Sequence, residues 1–331
     1  MADRKKDHID LALLSQIEKT MLDERFFYEP VLNPHPKSAE KSFSFLGKHL
    51  RTPIWVSSMT GGTALAGKIN RNLAKACAEF GMGMGLGSCR SLLQNDDHFS
   101  DFNVRPIIGS DLPLYANLGI CQLEESIANG QLNRIGDLIG RLDADGLIIH
   151  INPMQEWLQP EGDRLQKSPL ESINQLLNHL DFPVIVKEVG QGMGPESLQA
   201  LMRMPLQAIE FAAFGGTNFA KVELLRNTDT NIQLFDPLTK IGHSADQMIE
   251  WLNEIVAKDK KVQCREIIIS GGIQNFLDGY YYMEKSKLTA IYGQASQLLK
   301  YAKEPYEELH AYLLSQKQGL QIAQNYLKLR K

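Results

Sequence analysis

The segment His150-Ile-Asn-Pro-Met-Gln-Glu-Trp-Leu-Gln-Pro-Glu-Gly-Asp-Arg164 gathers an imidazole, amides, carboxylates and a guanidinium into one short stretch. A packed core has no use for such groups, because burying them costs several kcal/mol unless each finds a partner. The apolar run Gly146-Leu-Ile-Ile ahead of it reads as a buried strand. Strand alternation puts Ile148, His150 and Asn152 on one face and Leu147, Ile149 and Ile151 on the other. Gln155, Glu156, Glu161, Asp163 and Arg164 follow directly. Glu156 and Glu161 suit a hard cation, since Mg2+ takes one or two carboxylates together with substrate phosphate oxygens. The competing reading of that pair is a solvated acidic loop.

Glycine-rich turns point to an anion. In Gly215-Gly-Thr217 and Ser270-Gly-Gly272 the missing Cβ lets backbone amides approach a phosphate closely. Lys187 closes the apolar run Val184-Ile-Val and shares a face with Ile185. A lysine there can hold a developing negative charge in a low-dielectric site. A Schiff base, or a structural pairing with Glu188, are its other readings. Arg4, Lys5 and His8 form a basic patch that, taken alone, reads as solvated. Cys89 lies in a site-like turn, with nothing beside it to mark a nucleophile.

Eight short apolar runs carry these groups. They start at Pro53, Met82, Pro113, Gly146, Pro183, Gln207, Glu266 and Leu288, alternate with helical patterns, and each ends in a polar or glycine-rich turn. Chemistry at the C-terminal end of every strand describes a (β/α)8 TIM barrel; a doubly wound sheet would concentrate its site at one switch point. Barrels commonly hold a phosphate at the loops after strands 7 and 8, the places of Ser270-Gly-Gly272 and Gly293-Gln-Ala295. Apolar spacing over residues 9–22 predicts a one-faced helix, residues 24–50 read as an irregular lead-in, and residues 304–329 read as helical. The expected division is an N-terminal extension over 1–50, a barrel over 51–303, and C-terminal helices over 304–331 packed on the barrel or on a partner subunit.

Composition narrows the partners. The chain is 43% hydrophobic and 22% charged, with a net charge of −4. That gives no basic footprint for nucleic acid. No apolar run reaches membrane-spanning length, so no membrane partner is expected. The four cysteines are widely spaced, without a zinc or disulfide pattern. A reducing cytoplasm is the expected location.

Together these segments resemble the type 2 isopentenyl-diphosphate delta-isomerases, which are FMN-dependent (β/α)8 barrels. The resemblance rests on Arg4-Lys-Lys-Asp-His-Ile9, Ser57-Ser-Met-Thr-Gly-Gly62, Gly85-Leu-Gly-Ser-Cys-Arg90, Ala116-Asn-Leu-Gly119, the His150–Arg164 segment, Val186-Lys-Glu-Val-Gly190, Gly215-Gly-Thr217 and Ser270-Gly-Gly-Ile273, in family order across nearly the whole chain. Gly-Gly turns would fit any FMN barrel; His-Ile-Asn-Pro-Met-Gln-Glu with Pro-Glu-Gly-Asp-Arg is far more specific.

The resemblance implies roles position by position. Ser58, Met59, Thr60, Ser88, Asn117, Lys187 and Thr217 match flavin contacts, and Gly271, Gly272, Ala295 and Ser296 match flavin-phosphate contacts. Arg4, Lys5, His8, Arg90, His150, Asn152 and Gln155 match substrate contacts, with Gln155, His150 and Asn152 at the reacting end. Glu156 matches the Mg2+ ligand bridging to the diphosphate. The implied reaction interconverts isopentenyl and dimethylallyl diphosphate with reduced FMN, NADPH as reductant and no net redox change. The implied assembly is a homo-oligomer, a tetramer or octamer.

The chain departs from the family pattern in several places. Cys89 stands where Gln is expected. The sixth strand ends Glu210-Phe-Ala-Ala-Phe214, and Ile241-Gly-His-Ser244 replaces Trp-Gly-Ile-Pro. The tyrosine-rich stretch 275–283 replaces an alanine-rich helix, and Tyr292-Gly-Gln-Ala-Ser296 matches the second phosphate turn only loosely. Two further readings stay open at this point. An FMN barrel oxidising a 2-hydroxy acid or reducing an enone would need a His–Arg pair for a carboxylate, but not Gln155, Glu156 or the basic tail. A non-catalytic flavin or prenyl-diphosphate binder would fit the drift after residue 205.

Overall fold

The computed structural model describes residues 2–36, 42–58, 63–227 and 230–330. Eight parallel strands close into a barrel, each hydrogen-bonded to its sequence neighbours. They are β1 (Ile54–Val56), β2 (Gly83–Gly85), β3 (Leu114–Gly119), β4 (Gly146–His150), β5 (Val184–Lys187), β6 (Ala208–Glu210), β7 (Glu266–Ser270) and β8 (Thr289–Gln294). Each lies within or beside one of the eight apolar runs. The (β/α)8 expectation holds, and the doubly wound alternative falls because β8 pairs with β1 and leaves no open edge.

Alternation along the strands sorts side chains into two shells. Trp55, Tyr115, Ile148, Ile185, Ala208, Ile268 and Ile291 point into the barrel. Leu147, Ile149, Val184, Val186, Ile267 and Ile269 point outward against the surrounding helices. Gly83 makes room for this filling: a Cβ there would lie 2.4 Å from the Trp55 ring. The interior is therefore packed, and the chemistry is pushed to the strand ends.

The segment before the barrel differs from expectation. Residues 43–50 are not irregular: Phe43–Phe45 and Lys48–Leu50 form an antiparallel hairpin. Leu46 and Gly47 turn it with φ of 51° and 73°, as a two-residue hairpin turn requires. Phe45, Leu46 and Leu50 pack into the barrel-interior cluster and close its base. The first helix runs Ala2–Ala12 rather than over 9–22, and breaks into turns at Leu13–Ser15. Ile9, Leu13, Leu14, Ile17 and Met21 remain exposed. The one-faced spacing is real, but nothing among the described residues covers that face.

The C-terminal helix, Tyr306–Tyr326, buries Leu309, Leu313, Leu320 and Ala323. The chain then forms a short strand, Leu327–Leu329, paired antiparallel with Phe26–Tyr28. Phe26 stacks on Tyr280, with ring centroids 5.8 Å apart, so the tyrosine run serves packing. No helix among the described residues is long and apolar enough to cross a membrane.

Candidate active site

The polar groups cluster at the C-terminal mouth of the barrel, where the strand turns open a cleft. Ser58, Lys187, Thr217, Gly271, Gly272, Ala295 and Ser296 all line it, drawn from the ends of β1, β5, β6, β7 and β8. Met59 and Thr60 lie outside the described residues. Gly271 and Gly272 adopt φ of 92° and 75°, the left-handed region glycine enters freely. A Cβ on Gly216 would come 3.0 Å from the Gly272 amide nitrogen, so glycine keeps that amide accessible.

Three buried polar atoms in this cleft lack partners among the described residues: Ser57 Oγ, Ser58 Oγ and Glu210 Oε2. Glu210 is fully buried at the end of β6, and its other oxygen accepts from Ser270 Oγ at 3.1 Å. Buried groups left unpaired cost free energy, so a polar ligand here supplies what the fold withholds. Donors, a fixed cation at Lys187 and an open glycine cradle fit a flat, phosphate-bearing cofactor such as FMN.

Lys187 is 6% exposed, and its Nζ donates to the Glu188 carbonyl at 2.9 Å. The Glu188 carboxylate is occupied elsewhere, accepting from the amides of Gly190, Gln191 and Gly192. Burial raises the pKa of Glu188 above its usual value, against those three donors. The structural pairing weighed for Lys187 is thus to backbone, and its charge remains available to the cleft.

His150 faces Lys187 across the β4–β5 register. Its Nδ1 lies 2.7 Å from Asn117 Oδ1. Asn117 Nδ2 donates to the Leu86 carbonyl, so its oxygen is the acceptor and the hydrogen sits on His150 Nδ1. Burial, followed by the neighbouring Lys187 charge, holds His150 down at about 3. The imidazole is neutral, and its Nε2 is left as an acceptor.

The helix Pro153–Leu158 follows β4 and carries the rest of the cluster. Asn152, 3% exposed, donates from Nδ2 to Gln155 Oε1 at 3.1 Å and to Glu156 Oε1 at 3.0 Å. Glu156, 7% exposed, accepts the Asp163 amide on its other oxygen. Gly162 permits that return: a Cβ there would lie 2.0 Å from the Glu156 carbonyl. Glu156, Asp163 and Cys121 bring their ligand atoms within 4.8 Å of one another. Two carboxylates this close together fit a divalent cation. Glu161, the other acid considered for it, is exposed and pairs with Arg226 at 3.0 Å.

Gln155 donates from Nε2 to Glu223 Oε1 at 3.0 Å. Glu223 is 2% exposed, on the helix Phe219–Arg226 after β6, and also accepts from Arg226. Sequence reasoning missed it, although an acid on the buried stripe with Ala220 and Leu224 was a readable signal. It also missed Glu210 and Cys121 as members of the site. Cys121 sits one residue past the N-terminus of the helix Ile120–Ala128. Burial, with Glu156 and Asp163 nearby, pushes its thiol up to about 12. Cys89 is wholly buried, and burial raises it to about 12, which leaves it no nucleophilic role.

Other expected groups lie further out. Arg90 is half-exposed and 3.5 Å from Asp163, which keeps it beside the cluster. Ser88 is exposed in the turn after β2. Arg4, Lys5 and His8 lie on the N-terminal helix and are exposed.

No protein-family model matches the chain. Among curated proteins it is 36% identical to isopentenyl-diphosphate delta-isomerase of Rickettsia akari (strain Hartford), over 90% of this chain and 85% of that one. It is also 36% identical to the enzyme of the same name from Rickettsia felis, over 91% and 85% of the two chains. Among solved structures, the flavin-binding domain of baker's yeast flavocytochrome b2 superposes with a TM-score of 0.61 at 11% identity, covering 90% of this chain and 71% of that one. A mandelate oxidase variant with 2-hydroxy-phenylacetamide superposes with a TM-score of 0.57 at 14% identity, covering 93% and 87%. These structural likenesses show the barrel fold.

Proposed function

The chain belongs to the isopentenyl-diphosphate delta-isomerase family, and from that premise we propose that it is a type 2 enzyme, interconverting isopentenyl and dimethylallyl diphosphate with reduced FMN and Mg2+. The supporting observation is the adjacency of two chemistries at one mouth. Lys187 lines the cleft suited to a flavin, and its register partner on the next strand, His150, opens the amide and carboxylate cluster.

The two substrates differ only in double-bond position, so the reaction adds one proton and removes another. Reduced FMN, when bound, supplies the chemistry that moves those protons, and NADPH is the proposed source of its electrons. Lys187 would stabilise negative charge on the flavin ring, a case of protein electrostatics tuning a cofactor. Ser57, Ser58 and Glu210 offer it partners, while the amides of Gly271 and Gly272, with Ala295 and Ser296, receive its phosphate. Met59, Thr60, Ser88, Asn117 and Thr217 complete the proposed flavin contacts.

The substrate side is the His150–Asn152–Gln155–Glu156 cluster. Neutral His150 accepts a hydrogen bond at Nε2. Asn152 and Glu223 clamp the Gln155 amide from both ends, so that its free N–H can orient the alkene or pass a proton. Glu156 would hold Mg2+, and Arg90, Arg4, Lys5 and His8 would be further contacts to the diphosphate. Binding energy at that remote group positions the small reactive end.

The last three residues come from the exposed N-terminal helix, in keeping with a homo-oligomer in which a second copy covers Ile9, Leu13, Leu14 and Ile17. Four buried, unpaired cysteines fit a reducing cytoplasm. The test is anaerobic incubation of the full chain with isopentenyl diphosphate, FMN, Mg2+ and NADPH. Dimethylallyl diphosphate is the expected product, and none under these conditions overturns the reading.

A further inference from the structure

Arg226 ends the helix Phe219–Arg226, and its side chain is half-exposed. Such a residue is ordinarily a solvated surface cation, and exposed ion pairs contribute little. Its partners set it apart. One arm, Nη1, donates to Oε2 of the buried Glu223 at 2.6 Å. The other, Nη2, donates to Oε1 of Glu161 at 3.0 Å, on the exposed loop after the helix Pro153–Leu158. A single guanidinium therefore bridges a buried acid and a surface acid.

The buried acid ends the run of hydrogen bonds that orients the site. Asn152 Nδ2 donates to Glu156 Oε1 and to Gln155 Oε1, and Gln155 Nε2 donates in turn to Glu223 Oε1. The run is directional, with a carboxylate acceptor at each end. It needs Glu223 to accept on both oxygens, which an ionised carboxylate does and a carboxylic acid does not. Taking that charge out of water without a countercharge is costly. Arg226 supplies the countercharge.

We propose that Arg226 is a positioning residue for the reaction: its charge holds Glu223 as an acceptor, and Glu223 fixes which end of the Gln155 amide faces the reacting group. The inference rests on the reading of Gln155 as the group at the reacting end. Arg226 acts through Glu223 and does not itself line the flavin cleft. Its fork is split between two carboxylates rather than paired on one, so a point charge in the same place can serve Glu223.

The experiment measures steady-state kinetics of the FMN-loaded full chain with isopentenyl diphosphate, Mg2+ and NADPH, beside flavin absorbance. Arg226→Gln keeps a donor and loses the charge. Its kcat is expected to fall by about tenfold or more, with KM and flavin content near those of the unchanged protein. Arg226→Lys restores the charge and is expected to recover most of the lost kcat. Glu161→Gln removes only the exposed pair and should leave turnover unchanged. Arg226→Gln combined with Glu223→Gln should be no slower than Glu223→Gln alone, because both act on one group. Arg226→Gln as fast as the unchanged protein overturns the proposal, as do effects of the two substitutions that multiply. A slow Arg226→Lys overturns it too, and does so even where the neutral variant fails to fold. No dimethylallyl diphosphate from the unchanged protein overturns the isomerase reading itself, whereas product with an indifferent Arg226 overturns the positioning role alone.

Discussion

Gln155 Nε2 donates to Glu223 Oε1 at 3.0 Å, joining the helix after β4 to the helix after β6. Asn152 holds the other end of the same amide. Gln155 is thus held in one orientation by two buried neighbours. Glu223→Ala should free it. We expect kcat to fall by roughly 10²-fold, with a much smaller change in KM and unchanged flavin content. Steady-state kinetics beside flavin absorbance checks this, and a fall confined to KM contradicts the clamp.

Glu156→Gln keeps the side-chain shape and removes its charge. Mg2+-dependent turnover should weaken by about tenfold or more while FMN stays bound, because Glu156 does not line the flavin cleft. Release of flavin from this variant contradicts the division between metal and cofactor sides.

His150 is held at about 3 by burial and the Lys187 charge. Its folded pKa lies below the unfolded value of about 6.5. Between those values the unfolded chain binds a proton that the folded chain refuses. The contribution is complete above about pH 6.5 and is lost as pH falls toward 3. Urea midpoints of the unchanged protein should therefore drop more steeply over that window than those of His150→Asn. Identical slopes would show that His150 titrates normally in the fold.

Gly216→Ala probes the cofactor cradle. The added Cβ would sit 3.0 Å from the Gly272 amide, the group proposed to meet the flavin phosphate. FMN affinity should fall about tenfold or more, a loss of about 1.4 kcal/mol, with little effect on the stability of the flavin-free chain. Flavin fluorescence titration and thermal unfolding of the stripped protein separate the two effects.

The exposed N-terminal side chains predict an assembly. Leu14→Asp together with Ile17→Asp should reduce the particle mass measured by light scattering, since both residues are about four-fifths exposed in the single chain. An unchanged mass removes this segment from the contact between copies.

The barrel was legible because each strand is a short apolar run ending in groups a core cannot absorb. His150, Asn152 and Lys187 could be placed on their faces by alternation alone. The hairpin over 43–50 was not legible, because three-residue strands carry too little periodicity to stand out from a loop. The first helix was misplaced for a related reason: apolar spacing reports a face, and here that face has no partner among the described residues of the chain. Glu223 and Cys121 escaped because their meaning lies in what they touch. Glu223 is 68 residues from Gln155 in the chain, a separation only the closed barrel removes.

The hairpin at the base has a consequence for water rather than for traffic. Side chains already fill the barrel from wall to wall, so nothing passes through it. What Phe45 and Leu50 add, wholly buried against that filling, is a floor: without them the lowest layer, Trp55 and Tyr115 included, would be left open to solvent from below.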